Sequence, residues 1–174
     1  MSIPFLYLKL TVGNKPINGE STEKHFEKQI ALESVAWDMS SKHEPVDDKK
    51  DTKKVKTTNT PKRVTLTKAF DRSTINLCDF MAKRTAFDEA TITVVKSLAW
   101  DENPRPLIEM KLTQGYVESV SLTATESGKS VGVKETVTLS FSSLKMLYYS
   151  NVVSSLRSDA PATTFQIDMP SEVE

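Results

Sequence analysis

The chain has 174 residues, 38% hydrophobic and 26% charged, with a mean hydropathy of −0.36. That is the size and make-up of one domain able to bury a core. Lys+Arg and Asp+Glu balance at 23 each, which leaves no basic field for a phosphate backbone. No apolar run approaches the roughly 18 residues of a membrane span, so neither nucleic acid nor membrane insertion is expected.

The start, Met1-Ser2-Ile3-Pro4-Phe5, has no basic leader running into an apolar core, so no secretory signal is read and synthesis in the cytoplasm is expected. Residues 5–10 alternate apolar and polar and predict a strand. Residues 30–37 predict another. Residues 40–60 lack apolar periodicity and mix both charge signs: Lys42, Glu44, Asp47, Asp48, Lys49, Lys50, Asp51, Lys53, Lys54 and Lys56. A long exposed loop is expected there. It carries no aromatic residue for base stacking, and its patchy field suits a protein partner better than a nucleic-acid groove.

A strand at 64–67 leads to Asp71-Arg72-Ser73, where Asp71 or Ser73 is available to cap a helix over 74–83 that turns Leu77, Cys78 and Met81 toward the sheet. Strands follow at 91–95, 108–113 and 117–123. In the second of these, Ile108, Met110 and Leu112 alternate strictly with polar residues. Gly128-Lys129-Ser130 ends like a phosphate loop, but Thr123 stands where the first glycine would be, and the triplet reads as a turn between strands. Val137, Leu139 and Phe141 share one parity whereas Leu144, Met146 and Tyr148 share the other. Either a bulge near Ser142-Ser143 or a break into two strands satisfies this. The tail after Ser150 has Phe165 and Ile167 as its obvious anchors and is read as a strand or a loosely held extension. The organisation expected is thus a mainly β domain over 1–150, including the loop at 40–60, with a C-terminal extension over 151–174.

Residues suited to chemistry are scarce. His25 and His43, the only histidines, lie in polar sequence outside any HExxH pattern and read as surface residues. No GxSxG elbow and no CxxC pair is present. Cys78, the only cysteine, reads as a small hydrophobe on the helix. Asp88 with Glu89, and Asp101 with Glu102, read as loop solvation. No enzymatic activity, metal or cofactor is expected.

Several short segments carry a family likeness through their order. They are Tyr7-Leu8-Lys9-Leu10, Gly19-Glu20-Ser21, the strand from Ile30 to Trp37, the run from Val64 to Lys68 followed by Asp71 and Ser73 at the helix start, and Glu135 opening the strand to Phe141. In this order they resemble the Hcp family, the ring-forming tube proteins of bacterial type VI secretion systems, related in fold to phage tail tubes. The resemblance spans about Tyr7 to Tyr149. The chain departs from the family in lacking a Ser-Pro step at the helix start and a glycine-rich loop at 40–60, and its tail is longer.

The resemblance implies a compact β-barrel of two packed antiparallel sheets with one short helix alongside. It implies homo-oligomers, with six copies closing into a hexameric ring and stacked rings forming a hollow tube. Sheath and spike or baseplate proteins would be partners, effector proteins would travel in the lumen, and secretion would need no signal peptide. The loop at 40–60 would then make the contacts between rings. A tail tube subunit of a phage or other contractile injection particle, a monomeric β-sandwich binding module and a small enzyme or effector on a β scaffold are the alternatives.

Overall fold

In the computed structural model, which describes residues 5–46, 54–61, 63–95, 106–149 and 163–169, the period-two segments form strands and the helical pattern forms a helix. β1 (Leu6–Val12) and β2 (Lys15–Ile17) make a hairpin around Gly13 and Asn14, both left-handed at φ 57° and 61°, as a tight hairpin turn requires. β3 (Ile30–Leu32) returns to β1, and after Glu33 the chain continues as β4 (Ser34–Ala36) in a different sheet. β5 (Met39–Val46) and β6 (Lys54–Pro61) pair with each other, and β7 (Val64–Ala69) then lies beside β4. Helix α1 (Arg72–Lys83) leads to β8 (Phe87–Val95) and β9 (Pro106–Gly115). β10 (Val117–Ser127), β11 (Ser130–Leu139), β12 (Ser143–Tyr148) and β13 (Thr163–Asp168) complete the described strands.

The larger sheet has the order β13-β12-β9-β8-β1-β2, with β3 also on β1; the smaller runs β10-β11-β7-β4. Register places apolar residues in rows across the larger sheet. Ile30, Leu8, Ile92, Met110, Met146 and Phe165 form one; Ile17, Leu10, Ala90, Leu112, Leu144 and Ile167 form the next. In the smaller sheet the matching row is Val35, Leu66, Val137 and Val120. Residues of both sheets and Leu77 of α1 share one core. Each fully buried Leu or Ile there contributes on the order of 2 kcal/mol.

The helix begins where its sequence says it should. Asp71 is the N-cap and accepts from the Ser73 amide, Thr74 completes a capping box, and Arg84 ends the helix in a left-handed conformation at φ 51°. Ser73, Thr74 and Leu77 are buried, while Cys78 is only half-buried.

Four expectations change. The sheets pack face to face but do not close into a barrel. The strand expected at 30–37 is two short strands that change sheets at Glu33, whose amide donates to the Thr67 carbonyl at 2.7 Å. Of the two readings left open for 137–148 the break holds, because β11 and β12 belong to different sheets. Most of the loop expected at 40–60 is a β-hairpin, in register from Met39 opposite Pro61 to Val46 opposite Lys54. The inward-facing backbone groups of its two strands pair with each other, and its mostly polar sequence carries no apolar alternation to read.

The tail contributes β13, the edge of the larger sheet, with Ile167 packed on the core and Phe165 tilted against Trp37 at 6.5 Å between ring centroids. The β9–β10 and β11–β12 crossings run side by side. The Tyr116 amide donates to Ser140 Oγ at 3.2 Å, the Ser140 amide to the Tyr116 carbonyl at 3.0 Å, and the Ser142 amide to the Gln114 carbonyl at 2.8 Å. Gly115 is required there, since a Cβ would fall 1.9 Å from the Ser140 carbonyl oxygen.

Candidate functional site

The ten charged residues of 40–60 separate on the hairpin. Lys42 and Glu44 are on β5, Lys54 and Lys56 on β6. Glu44 stands directly opposite Lys56, Lys42 opposite Thr58, and Val46 opposite Lys54. Asp47, Asp48, Lys49, Lys50, Asp51 and Lys53 lie outside the described residues. Among the described residues the hairpin forms a two-stranded sheet of its own, joined to neither of the others.

The chemically densest place in the described structure is elsewhere, under the start of α1. Lys68, on the core-facing parity of β7, is fully buried. Its Nζ has three protons to donate among four acceptors, Glu135 Oε2 at 3.0 Å, Asp71 Oδ1 at 2.9 Å, Thr74 Oγ1 at 3.0 Å and the Ala69 carbonyl at 3.0 Å. Glu135 is Lys68's cross-strand partner on β11 and is equally buried, and Thr74 Oγ1 donates to its Oε2 at 2.5 Å. The Ser73 hydroxyl adds a short bond to Asp71. Glu135 Oε1 is buried without a hydrogen-bond partner. One cation thus joins two strands to the helix cap, in surroundings where charges interact far more strongly than in water.

Gly19-Glu20-Ser21 comes to the same place. Glu20 Oε1 accepts from the Arg72 amide at 3.2 Å, and Gly19 is packed so closely that a Cβ would lie 2.5 Å from the Gln29 carbonyl oxygen. Three of the family-like segments, those around Glu20, Lys68 to Ser73 and Glu135, therefore meet at the helix start. The buried ion cluster was missed by pattern reading, although a signal exists. Lys68 continues the buried parity of Val64 and Leu66, and Glu135 that of Val137 and Leu139, so two opposite charges occupy core-facing positions of neighbouring strands.

Other residues weighed for chemistry stay apart from it. His25 is exposed in a turn with φ 74°, and the His43 side chain lies outside the described residues. Gly128 and Lys129 form the β10–β11 turn, with Gly128 left-handed. Among the described residues no group of three or more His, Cys, Asp or Glu is placed to hold a metal ion, and no helix is long and apolar enough to cross a membrane. The exposed large apolar residues include Phe70 and Ile75 beside the helix start, Leu122 and Val131 on the β10–β11 arm, and Met39 and Phe165.

Two packed antiparallel sheets with a flanking helix are also the fold of solved Hcp proteins and of a component of a prophage baseplate. The structure is similar to Hcp1 of the E. coli EAEC 042 pathovar, with 18% identity, a TM-score of 0.74, and coverage of 96% of this chain and 99% of that one. It is similar to Hcp1 of Salmonella typhimurium, at 20% identity and TM-score 0.64, with 94% of each chain covered. The baseplate of the anti-feeding prophage gives 9% identity, TM-score 0.55, and coverage of 85% and 95%. Residues 7–148 match the family described as type VI secretion system effector, Hcp, and the chain belongs to that family of tube proteins. No curated protein sequence matches it.

Proposed function

We propose that this chain is a structural subunit that closes into hexameric rings, and that the rings stack into the inner tube of a type VI secretion system and pass or carry effectors. The observation that carries this reading is the family match over residues 7–148. The rest of the molecule is consistent with a part made for assembly. Its chemically rich cluster is buried and holds the helix, whereas the charged hairpin is, among the described residues, paired with neither of the other sheets.

A contact that repeats head to tail and closes gives a ring, and an axial contact that repeats without closing gives a tube. The hairpin β5–β6, with Lys42, Glu44, Lys54 and Lys56 on its strands and Asp47 to Lys53 between them, is assigned to the axial contact. Its mixed charge suits an interface that weakens with salt. Sheath and spike or baseplate proteins are the further partners, and release is through the apparatus. Residues 1–150 form the assembling domain and 151–174 an extension of it.

A second reading, a tube subunit of a phage-derived or other contractile injection particle, is favoured by the likeness to the anti-feeding prophage baseplate. Negative-stain microscopy and mass photometry test the assembly: rings of about six subunits are expected, and a strict monomer at tens of micromolar overturns it. Deleting residues 44–56 is expected to leave rings and abolish stacks. Loss of both, with the fold intact, removes the hairpin from its assigned role. Co-purification with the sheath of the secretion apparatus or of a phage-like particle separates the two readings.

A further inference from the structure

The outer face of the larger sheet carries a small second cluster, Tyr7, Phe26 and Val95, separate from the main core. Tyr7 has the opposite parity to Leu6, Leu8 and Leu10 and is paired with Thr93. It is covered by residues 19–29, which leave the sheet after β2 and return to it at β3. The two ends of this segment are tied together: the Gly19 amide donates to the Lys28 carbonyl at 2.7 Å, the Lys28 amide to the Ser21 carbonyl at 2.8 Å, and the Ser21 amide to the Gln29 carbonyl at 3.1 Å. From the loop so formed Phe26 reaches down and stacks on Tyr7, ring centroids 4.2 Å apart and planes within 5°.

We propose that residues 19–29 are a strap that opens and closes over this face while both sheets stay folded, with Phe26 as its latch. Three features of the closed form work against it. His25 and Lys28, on either side of the latch, both sit in the left-handed region, at φ 74° and 62°, which costs a residue with a side chain. Gln29 Oε1 is buried with no hydrogen-bond partner, and opening returns it to water.

Against these stand the stacked ring pair, the burial of one phenyl ring and the exposed contact of Glu20 with the Arg72 amide, and among the described residues the apolar cluster under the strap has three members where the main core has seventeen. A segment held by so few apolar contacts belongs to the low-stability end of local opening. Burial, with the Glu23 carboxylate adding to it, pushes the Tyr7 hydroxyl up to about 12, so the state of the strap is written in the titration of one tyrosine.

Hydrogen exchange followed by mass spectrometry or NMR on the full chain tests this. The amides of Phe26, Lys28 and Gln29 are expected to exchange at least ~100-fold faster than those of Leu8 and Ile92 on the strands beneath. Equal protection would make the segment part of the globally folded unit and overturn the proposal. Phe26→Ala is expected to accelerate the strap amides by ~30-fold, leave β1 and β8 unchanged, and bring the Tyr7 hydroxyl down toward its ordinary 10.0. Joint acceleration of strap and sheet counts against an independent strap. His25→Gly relieves the left-handed cost of the closed form and is expected to slow strap exchange ~5-fold. No slowing there would mean that the backbone strain does not set the opening.

Discussion

Replacing Lys68 by Met removes the cation but keeps the length of the side chain, and the structure says what is left behind. Glu135 is fully buried and Asp71 nearly so, and both lose a charged hydrogen bond at 2.9–3.0 Å. Truncating one partner of a buried pair costs about 3–5 kcal/mol, mostly because the other charge is stranded. Against a total stability of about 5–15 kcal/mol that is a large share. In urea, with a slope of about 2 kcal/mol per molar, Lys68→Met is expected to lower the midpoint by about 2 M, read by tryptophan fluorescence.

The double variant Lys68→Met with Glu135→Leu removes both charges together. Asp71 keeps its bond from the Ser73 amide and Thr74 keeps the Asp71 amide. The double variant is expected to recover to within about 1 kcal/mol of the native chain, since apolar replacement of a buried pair is often neutral or better. A single variant that costs less than about 1 kcal/mol, or a double variant no more stable than the single, would refute the reasoning that the pair is held by mutual compensation in a dry site.

Three further outcomes follow from the geometry. Tyr7 ionises higher in the folded chain than in the unfolded one, so its contribution to stability is complete below about pH 10 and is lost as pH rises through about 12. Alkaline unfolding over that window should be less steep in Tyr7→Phe. Tyr149 is raised in the same direction by burial and by Glu109, whose Oε2 accepts from its hydroxyl at 3.3 Å, and leaves a smaller remainder in the Tyr7 variant. Gly115→Ala is expected to destabilise by about 3 kcal/mol because its Cβ would meet the Ser140 backbone at 1.9 Å, while Gly132→Ala, with nothing within 4 Å, should stay within about 0.5 kcal/mol in the same melt. Glu20→Ala removes an exposed acceptor from the Arg72 amide and should cost no more than about 1 kcal/mol in thermal unfolding.

Strands with one face on the core were legible because burial imposes a period of two. Ile108 to Leu112 is the clearest case, and the Asp71 cap announced the helix as plainly. Legibility ended where a segment's pairing does not depend on burial. The β5–β6 ribbon pairs with itself and leaves only a mixture of charges in the sequence. The change of sheet at Glu33 hides inside one short run from Ile30 to Trp37, because the core-facing parity passes from Ile30 and Leu32 to Val35 and Trp37 by a one-residue shift that a reader of short windows absorbs. Of the candidate site, the charged stretch 40–60 was legible as a segment by its mixture of charges, whereas the Lys68–Glu135 pair needed two strands to be set side by side before a lysine in an apolar phase meant anything. Gly19-Glu20-Ser21, weak as a motif, gains its sense from a contact with Arg72, 52 positions away.

The paired crossings at Gly115-Tyr116 and Ser140-Ser142 bear on how the molecule carries load. Packing alone would let two sheets slide past one another in steps of about one residue, or 3.3 Å. Here the chain itself passes between them at neighbouring points, stitched to each other by backbone bonds, and again after Glu33. A shear between the sheets is therefore taken up by covalent backbone before it reaches the side-chain core. Force applied to the β10–β11 arm has a covalent route to β12 and β9 through these crossings.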